Sequence, residues 1–222
     1  MVSKRRGDLV RYMDRWQGQT IVCAASGPSL TVEQLEKVKQ TSARLIVIND
    51  TYKLAPWADV LYASDARWWS HHIENVRQNF EGEFWTMQED AWQHHGVMLA
   101  PAKYENGLNT DPGWINHGTH SGFQAINLAY QFGAAKILLL GYDCKYKHHP
   151  DCRPDQDGKC RPPDICQRHW FGSHPKGWGD ANHIARWVQS YRTINCDRPI
   201  INCSPDSAVD AFPKMTLDEA LA

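Results

Sequence analysis

The clearest indication of the fold lies in residues 121–143, SGFQAINLAYQFGAAKILLLGYD. Residues 121–132 are apolar on most sides and end before Gly133, a usual residue type just beyond a helix. Residues 136–140, KILLL, form a continuous apolar run like those of parallel strands that are covered on both faces. The stretch therefore predicts a helix packed against a sheet, followed by a central strand of that sheet.

Other apolar runs along the chain alternate with helical patterns. The predicted strands are residues 20–25, 44–49, 59–63, 84–87, 97–100 and 199–203. Helices are predicted after Thr31-x-x-Gln34, which has capping-box spacing, after Asp180, and over residues 216–221. This alternation is typical of βαβ units. We therefore predict one α/β domain over residues 1–222, with a Rossmann-like, mostly parallel sheet and helices on both faces. Residues 144–180, rich in Cys, His, Pro and Gly, are predicted to form an inserted loop.

The composition is that of an ordinary soluble domain. The chain has 222 residues, of which 42% are hydrophobic and 22% charged. It contains no apolar run near the roughly 20 residues that span a bilayer, and no apolar segment follows the basic N-terminus. We therefore expect a cytoplasmic protein with no membrane partner. The net charge of −1 gives no overall attraction to nucleic acid.

Polar residues follow several predicted strands or begin the long helix. Because ligands of open parallel sheets bind beyond the carboxyl ends of the strands, these residues predict a nucleotide site. The candidates are Ser26, Gly27, Pro28, Ser29, Asn49, Asp65, Ser121, Gly122 and Asp143. The turn at Ser26–Ser29 either holds a phosphate at a helix N-terminus or is a plain strand-to-helix turn. Asn49 either binds a base or ribose or caps the next turn, whereas Asp143 could bind a ribose hydroxyl, a cation or loop backbone.

The inserted loop holds four potential metal ligands, Cys152, Cys160, Cys166 and His169. Four such ligands suit a structural zinc ion, which would order a loop that has no core of its own. Free thiols and a disulfide are the alternatives, and Cys144, His148 and His149 compete as ligands.

The tryptophans divide into two groups. Trp187 fits the apolar face of a predicted helix and is expected in the core. Five others lie in polar or Gly-rich contexts, where a ring could stack on a sugar or a base or pack under a loop. These are Trp68, Trp69, Trp114, Trp170 and Trp178.

Several short motifs together resemble a known family. They are VCAASGPSL (22–30), VINDTY (47–52), HSGFQAINLAYQFGAAKILLLGYD (120–143) and CSPDS (203–207). The pattern resembles the compact single-domain bacterial sialyltransferases, and a broader set that includes 6-hydroxymethylpterin diphosphokinase-like proteins. HWFGSHPKGW (169–178) and AFPKMTLDEAL (211–221) look most like uncharacterised phage members of that set. The chain departs from the sialyltransferase pattern at Ser26, where that family usually has Asn, and in the Cys-rich loop.

The resemblance implies a glycosyltransferase that uses a nucleotide-activated sugar. It implies that Ser26–Ser29 form the phosphate turn, that Asn49 contacts the nucleotide and that Ser121 and Gly122 form the opposite wall. It also implies a catalytic histidine before the penultimate helix, and that region offers His169, His174 and His183. His174 is the first choice for this base and His183 the second, and Lys176 could neutralise a leaving diphosphate. The acceptor stays open between a carbohydrate, a small molecule and a modified phage DNA base.

Two other functions are also consistent with the sequence. One is ATP-dependent pyrophosphoryl transfer of the pterin kinase type, which needs Mg²⁺ held by carboxylates such as Asp65 and Asp143. The other is a non-catalytic nucleotide-binding or phage assembly module. The sequence predicts no particular oligomeric state.

Overall fold

A computed structural model describes residues 7–145, 151, 167, 169–172, 178 and 184–222. Seven of the described strands form one sheet in the order β5-β4-β3-β2-β1-β8-β9, and all neighbouring pairs are parallel. They are β1 (Thr20–Ala24), β2 (Arg44–Ile48), β3 (Val60–Tyr62), β4 (Glu83–Thr86), β5 (Met98–Leu99), β8 (Lys136–Leu140) and β9 (Ile200–Asn202). Two short strands, β6 (Ala102–Lys103) and β7 (Ile115–Asn116), pair separately. The predicted α/β, mostly parallel fold is confirmed.

Helices cover both faces of this sheet. They are α1 (Gly7–Tyr12), α2 (Val32–Lys39), α3 (Ala66–Asn79), α4 (Glu89–His95), α5 (Ser121–Gln131), α6 (Ile184–Tyr191) and α7 (Leu217–Leu221). Alternate residues of β1 belong to different cores, because side chains of a strand point to opposite faces in turn. Ile21 and Cys23 pack in the core that includes α5, whereas Val22 and Ala24 pack in the core that includes α2 and α3. No helix in the described ranges is long and apolar enough to cross a membrane.

The run KILLL forms β8, which is an interior strand but not the middle one. It pairs with β1 on one side over five residues and with β9 on the other. Its last four residues are buried, as expected for a strand covered on both faces. The middle position belongs to β2, because three strands lie on either side of it in the sheet.

Helix α5 is enclosed on nearly every side, and its polar side chains bind the loops around it. Ten of its eleven residues are buried. Asn127 Oδ1 accepts the backbone N–H groups of Asn109 at 2.8 Å and Asn116 at 2.7 Å. Gln124 accepts from the Tyr62 hydroxyl at 2.9 Å, and Gln131 donates to Asn109 O at 2.8 Å. Because buried polar groups need partners, these amides hold α5 in one position against β3 and residues 109–116.

Candidate functional site

A pocket lies at the carboxyl ends of β1, β2 and β8, where an open parallel sheet usually binds its ligand. Its cavity volume is about 170 Å³. Seven of the nine predicted nucleotide-binding residues line it, together with the start of α5 and one side of α6. These seven are Ser26, Gly27, Pro28, Asn49, Ser121, Gly122 and Asp143. The loops that leave three separate strands therefore meet at one place, and we call it the main pocket.

Ser29 and Asp143 join the loop after β1 to the loop after β8. The Ser29 hydroxyl donates to Asp143 Oδ2 at 2.8 Å, and the Ser29 N–H donates to the same oxygen at 3.3 Å. Gly27 N–H donates to Gly141 O at 2.9 Å. Asp143 is almost fully buried, and burial raises the pKa of its carboxyl group. Of the three roles considered for Asp143, the structure shows the contact with loop backbone, because one carboxylate oxygen accepts the N–H of Ser29 in the neighbouring loop.

Helix α5, rather than α2, begins at the main pocket. Helix α2 is closed by a complete capping box between Thr31 and Gln34, and these two residues line a different cavity. In the turn after β1, the N–H groups of Gly27 and Ser29 bind Gly141 and Asp143, as described above. By contrast, Ser121 and Gly122, the first two residues of α5, form part of the pocket wall. The Ser121 hydroxyl lies 2.8 Å from the Ser64 hydroxyl, which ties this helix start to the end of β3.

His120 caps α5 as a neutral imidazole whose two nitrogens both have partners. Its Nδ1 accepts the N–H of Phe123 at 3.3 Å, and its Nε2 lies 3.4 Å from Ser190 Oγ. The Ser190 hydroxyl donates to Trp187 O at 2.7 Å, so its oxygen is left to accept from Nε2–H. Burial, and secondarily the neighbouring His117, lower the pKa of His120 to about 3. His120 therefore has no lone pair available to take a proton from a substrate.

We expect this histidine to make the folded chain less stable in acid. The unfolded chain takes up a proton near pH 6.5, whereas folded His120 stays neutral down to pH about 3, so stability falls as the pH falls through this interval. The loss attributable to His120 should be about 1–2 kcal/mol at roughly pH 5, because this pH lies about 1.5 units below the pKa of the histidine in the unfolded chain. The measurement is urea unfolding at several pH values. His120→Asn keeps an N-cap acceptor without a titrating ring. An equal pH dependence in this variant would contradict the assignment.

The backbone around the pocket adopts conformations that ordinary residues avoid. Asn49 has φ of +51° and Cys144 has φ of +45°, and both line the pocket. Only four non-glycine residues in the described part of the chain have positive φ. Asn49 begins a short 3-10 helix (Asn49–Lys53), and that helix has no side-chain cap. Such strain is often concentrated at functional sites, where the surrounding structure holds it in place.

A turn from the inserted loop also reaches the pocket. His169 lines it, with Nδ1 3.4 Å from Ser26 Oγ, and its ring is stacked on Phe171 at 4.8 Å. Trp170 N–H donates to Ser26 O at 3.1 Å, and the Trp170 indole N–H donates to Thr51 Oγ1 at 3.4 Å. The structure thus places His169, which the sequence suggested as a zinc ligand, beside the turn that follows β1.

The three catalytic candidates and the other three members of the predicted zinc site lie outside the described residues. These are the catalytic candidates His174, Lys176 and His183, and the zinc ligands Cys152, Cys160 and Cys166. Within the described residues, no group of three His, Cys, Asp or Glu side chains could hold a metal ion. The zinc site stays a prediction.

Several further candidates differ from the places that the sequence suggested. Asp65 does not line the main pocket; it is the N-cap of α3 and accepts the N–H of Arg67 at 2.8 Å. Trp187, expected in the core, instead lines the pocket, with its ring 5.1 Å from that of His120. Trp68 and Trp69, for which sequence context left open stacking on a ligand or packing under a loop, are buried at 3% and 0% exposure. The pocket also contains Lys145, a cation that was not among the predicted residues.

Comparisons of the chain with protein-family models, with curated proteins and with solved structures found no match. The function is therefore inferred from the residues of the pocket and their chemistry.

Proposed function

We propose that the main pocket binds the nucleotide part of a nucleotide-activated sugar and that the chain transfers this sugar to an acceptor hydroxyl. The observation that carries the proposal is the convergence of Ser26, Asn49 and Ser121 on one pocket at the carboxyl edge of the sheet. A pocket of about 170 Å³ is smaller than the roughly 300–1,000 Å³ that encloses a whole drug-sized ligand. It would hold one part of the donor, while the rest extends outward.

The donor phosphate is assigned to the start of α5. The first N–H groups of an α-helix lack partners within the helix, and the helix dipole favours an anion there. No acidic residue lies in the first turn of α5. The Asp143 carboxylate also lines the pocket, but one of its oxygens binds Ser29, and burial raises its pKa, which favours the neutral form. Lys145 lines the same pocket and adds a positive charge. Asn49 offers an amide to the base or ribose, and the half-buried ring of Trp187 offers a stacking surface.

We assign the role of base to His169, which lines the pocket beside Ser26. In the tautomer that this step requires, His169 Nδ1–H donates to Ser26 Oγ, and Nε2 is the nitrogen that receives a proton. Nε2 takes the proton of the acceptor hydroxyl as its oxygen bonds to the anomeric carbon of the sugar. The bond from that carbon to the phosphate oxygen breaks, and the phosphate leaves with the electron pair, stabilised by the start of α5 and Lys145.

Pyrophosphoryl transfer has less support from the geometry. It requires carboxylates that can hold Mg²⁺ beside the nucleotide. Asp143 does line the pocket, but one of its oxygens binds Ser29, and Asp65 caps α3 away from the pocket wall. The two carboxylates predicted for this role do not both face the same cavity.

A thermal-shift series with CMP, UDP, GDP and ATP, each with and without Mg²⁺, tests the proposal. We expect CMP, UDP or GDP to raise the melting temperature without Mg²⁺, by about 5–10 °C at roughly 100 times its Kd. Trp187→Ala should reduce this shift, whereas Trp57→Ala, which removes another part-buried ring from outside the pocket, should not.

Each other outcome contradicts a definite part of the proposal. A shift from ATP alone, and only with Mg²⁺, would favour the pyrophosphokinase. A nucleotide shift without turnover of any sugar nucleotide would favour a binding module. No shift with any nucleotide would remove the proposed function.

A further inference from the structure

A second cavity, larger than the main pocket, lies on the same edge of the sheet. Its volume is about 310 Å³, and it is lined by residues that follow β4 and β5, among them Gln88, Glu89 and Asp90. Strands β2 and β4 are separated only by β3, so their carboxyl ends lie about 10 Å apart, or two strand spacings. Ser121 lines the main pocket, and its hydroxyl contacts that of Ser64, which follows β3, the strand between β2 and β4. An extended substrate of about this length would therefore reach both cavities.

An exposed aromatic ring borders the second cavity. Tyr104 is 84% exposed, the highest value among the large hydrophobic side chains of the described residues. Its ring is stacked on that of His117, with centroids 4.6 Å apart and planes 22° from parallel. Because His117 covers one face, the ring has a defined plane and presents its other face outward. Trp114, one of the tryptophans that sequence context suggested for stacking, lines the same cavity.

The polar side chains of this cavity favour a ligand that carries hydroxyl groups over a ligand that carries a negative charge. Glu89 and Asp90 carry carboxylates that accept hydrogen bonds, and the Gln88 amide can both donate and accept. A pyranose ring presents hydroxyl donors at its edge and C–H groups on its faces, which match carboxylates and aromatic rings respectively. The two carboxylates would repel a phosphate or a sialic acid. The second cavity thus differs chemically from the main pocket, where the Asp143 carboxylate is accompanied by Lys145 and the start of a helix.

We propose that the second cavity binds an uncharged pyranose, stacked on Tyr104, and that this sugar belongs to the acceptor. Its role as acceptor rests on the proposed function of the main pocket, whereas sugar binding itself does not. Among the acceptors considered above, this selects a neutral carbohydrate over a DNA base. The acceptor molecule would extend from the second cavity past Ser64 and Ser121, so that its reacting hydroxyl lies near His169.

Two tryptophan indoles report separately on the two cavities. In ¹⁵N-labelled protein, the indole N–H signals of Trp114 and Trp187 can be assigned by their loss in Trp114→Phe and Trp187→Phe. We expect maltose, cellobiose or lactose to shift the Trp114 signal, and CMP, UDP or GDP to shift the Trp187 signal. The anionic 3′-sialyllactose should bind more weakly than lactose. Tyr104→Ala should raise the Kd of the binding disaccharide about tenfold, whereas Tyr104→Phe, which keeps the ring, should leave it nearly unchanged.

The outcomes separate the two proposals. If none of the three disaccharides shifts Trp114, or if Tyr104→Ala binds as tightly as the parent chain, the sugar site is overturned, whatever the nucleotides do. If a disaccharide shifts Trp114 while no nucleotide shifts Trp187, the sugar site is supported, and its role as an acceptor site is overturned along with the transferase.

Discussion

Replacing Gly27 by alanine should lower the free energy of unfolding by about 3–5 kcal/mol. A Cβ atom at this position would lie 2.0 Å from Asp143 Oδ2 and 2.3 Å from Gly141 O. The backbone oxygen cannot rotate away as a flexible side chain can, so the loops after β1 and β8 must separate. That movement breaks the bond from Gly27 N–H to Gly141 O and strains the two bonds from Ser29 to Asp143. Equilibrium urea unfolding measures the effect.

Gly18→Ala is the matched control for this variant. Gly18 has φ of +78°, but the space that a Cβ atom would occupy there is open, so alanine causes backbone strain without a clash. We expect a loss of only about 1–2 kcal/mol. Equal losses in the two variants would show that the close packing of the β1 and β8 loops contributes little.

Replacing His169 by alanine should reduce turnover of the sugar nucleotide at least about 100-fold, the usual effect of losing a general base. The nucleotide-induced rise in melting temperature should persist, because His169 is assigned to the acceptor proton rather than to the nucleotide. His94→Ala, at an exposed position on α4, serves as the control for loss of an imidazole.

The same assay with His174→Ala compares the geometric choice of base with the sequence-based one. A loss of turnover in His174→Ala that exceeds the loss in His169→Ala would transfer the role of base to His174. Because the sequence also suggests His169 as a zinc ligand, the zinc content of parent and variant protein should be measured together. Zinc present in the parent and absent from the variant would mean that lost turnover reflects a lost metal site.

Much of the sheet could be predicted because the local sequence of several strands is itself typical of buried parallel strands. The runs at β1, β2 and β8 are continuous and apolar, so local composition sufficed to place them within one residue of their observed ends. Helix α3 was not predicted, although Trp69, Ile73 and Val76 are spaced four and three residues apart and all are buried. The surrounding His, Ser and Arg residues suggested a polar context, whereas the helical period places Trp69 in the core.

The pocket was predicted in outline but not in its contacts. The rule that ligands bind at the carboxyl ends of parallel strands brings Ser26, Asn49 and Ser121 together without knowledge of coordinates. The bonds between Ser29 and Asp143 join residues 114 positions apart, and no local pattern indicates them. Trp187 was misplaced for a related reason: periodicity finds the apolar face of α6, but only tertiary structure shows that this face borders a cavity.

The amide contacts of α5 have a consequence for ligand binding. Asn127 and Gln131 attach the helix to the backbone of residues 109–116, and Gln124 attaches it to β3, so the helix can neither slide along its axis nor rotate about it. Its first turn therefore stands at one fixed height above β1 and β8 before any ligand arrives. An anion that docks there would meet a preorganised surface, and its association would carry little penalty for reshaping the protein.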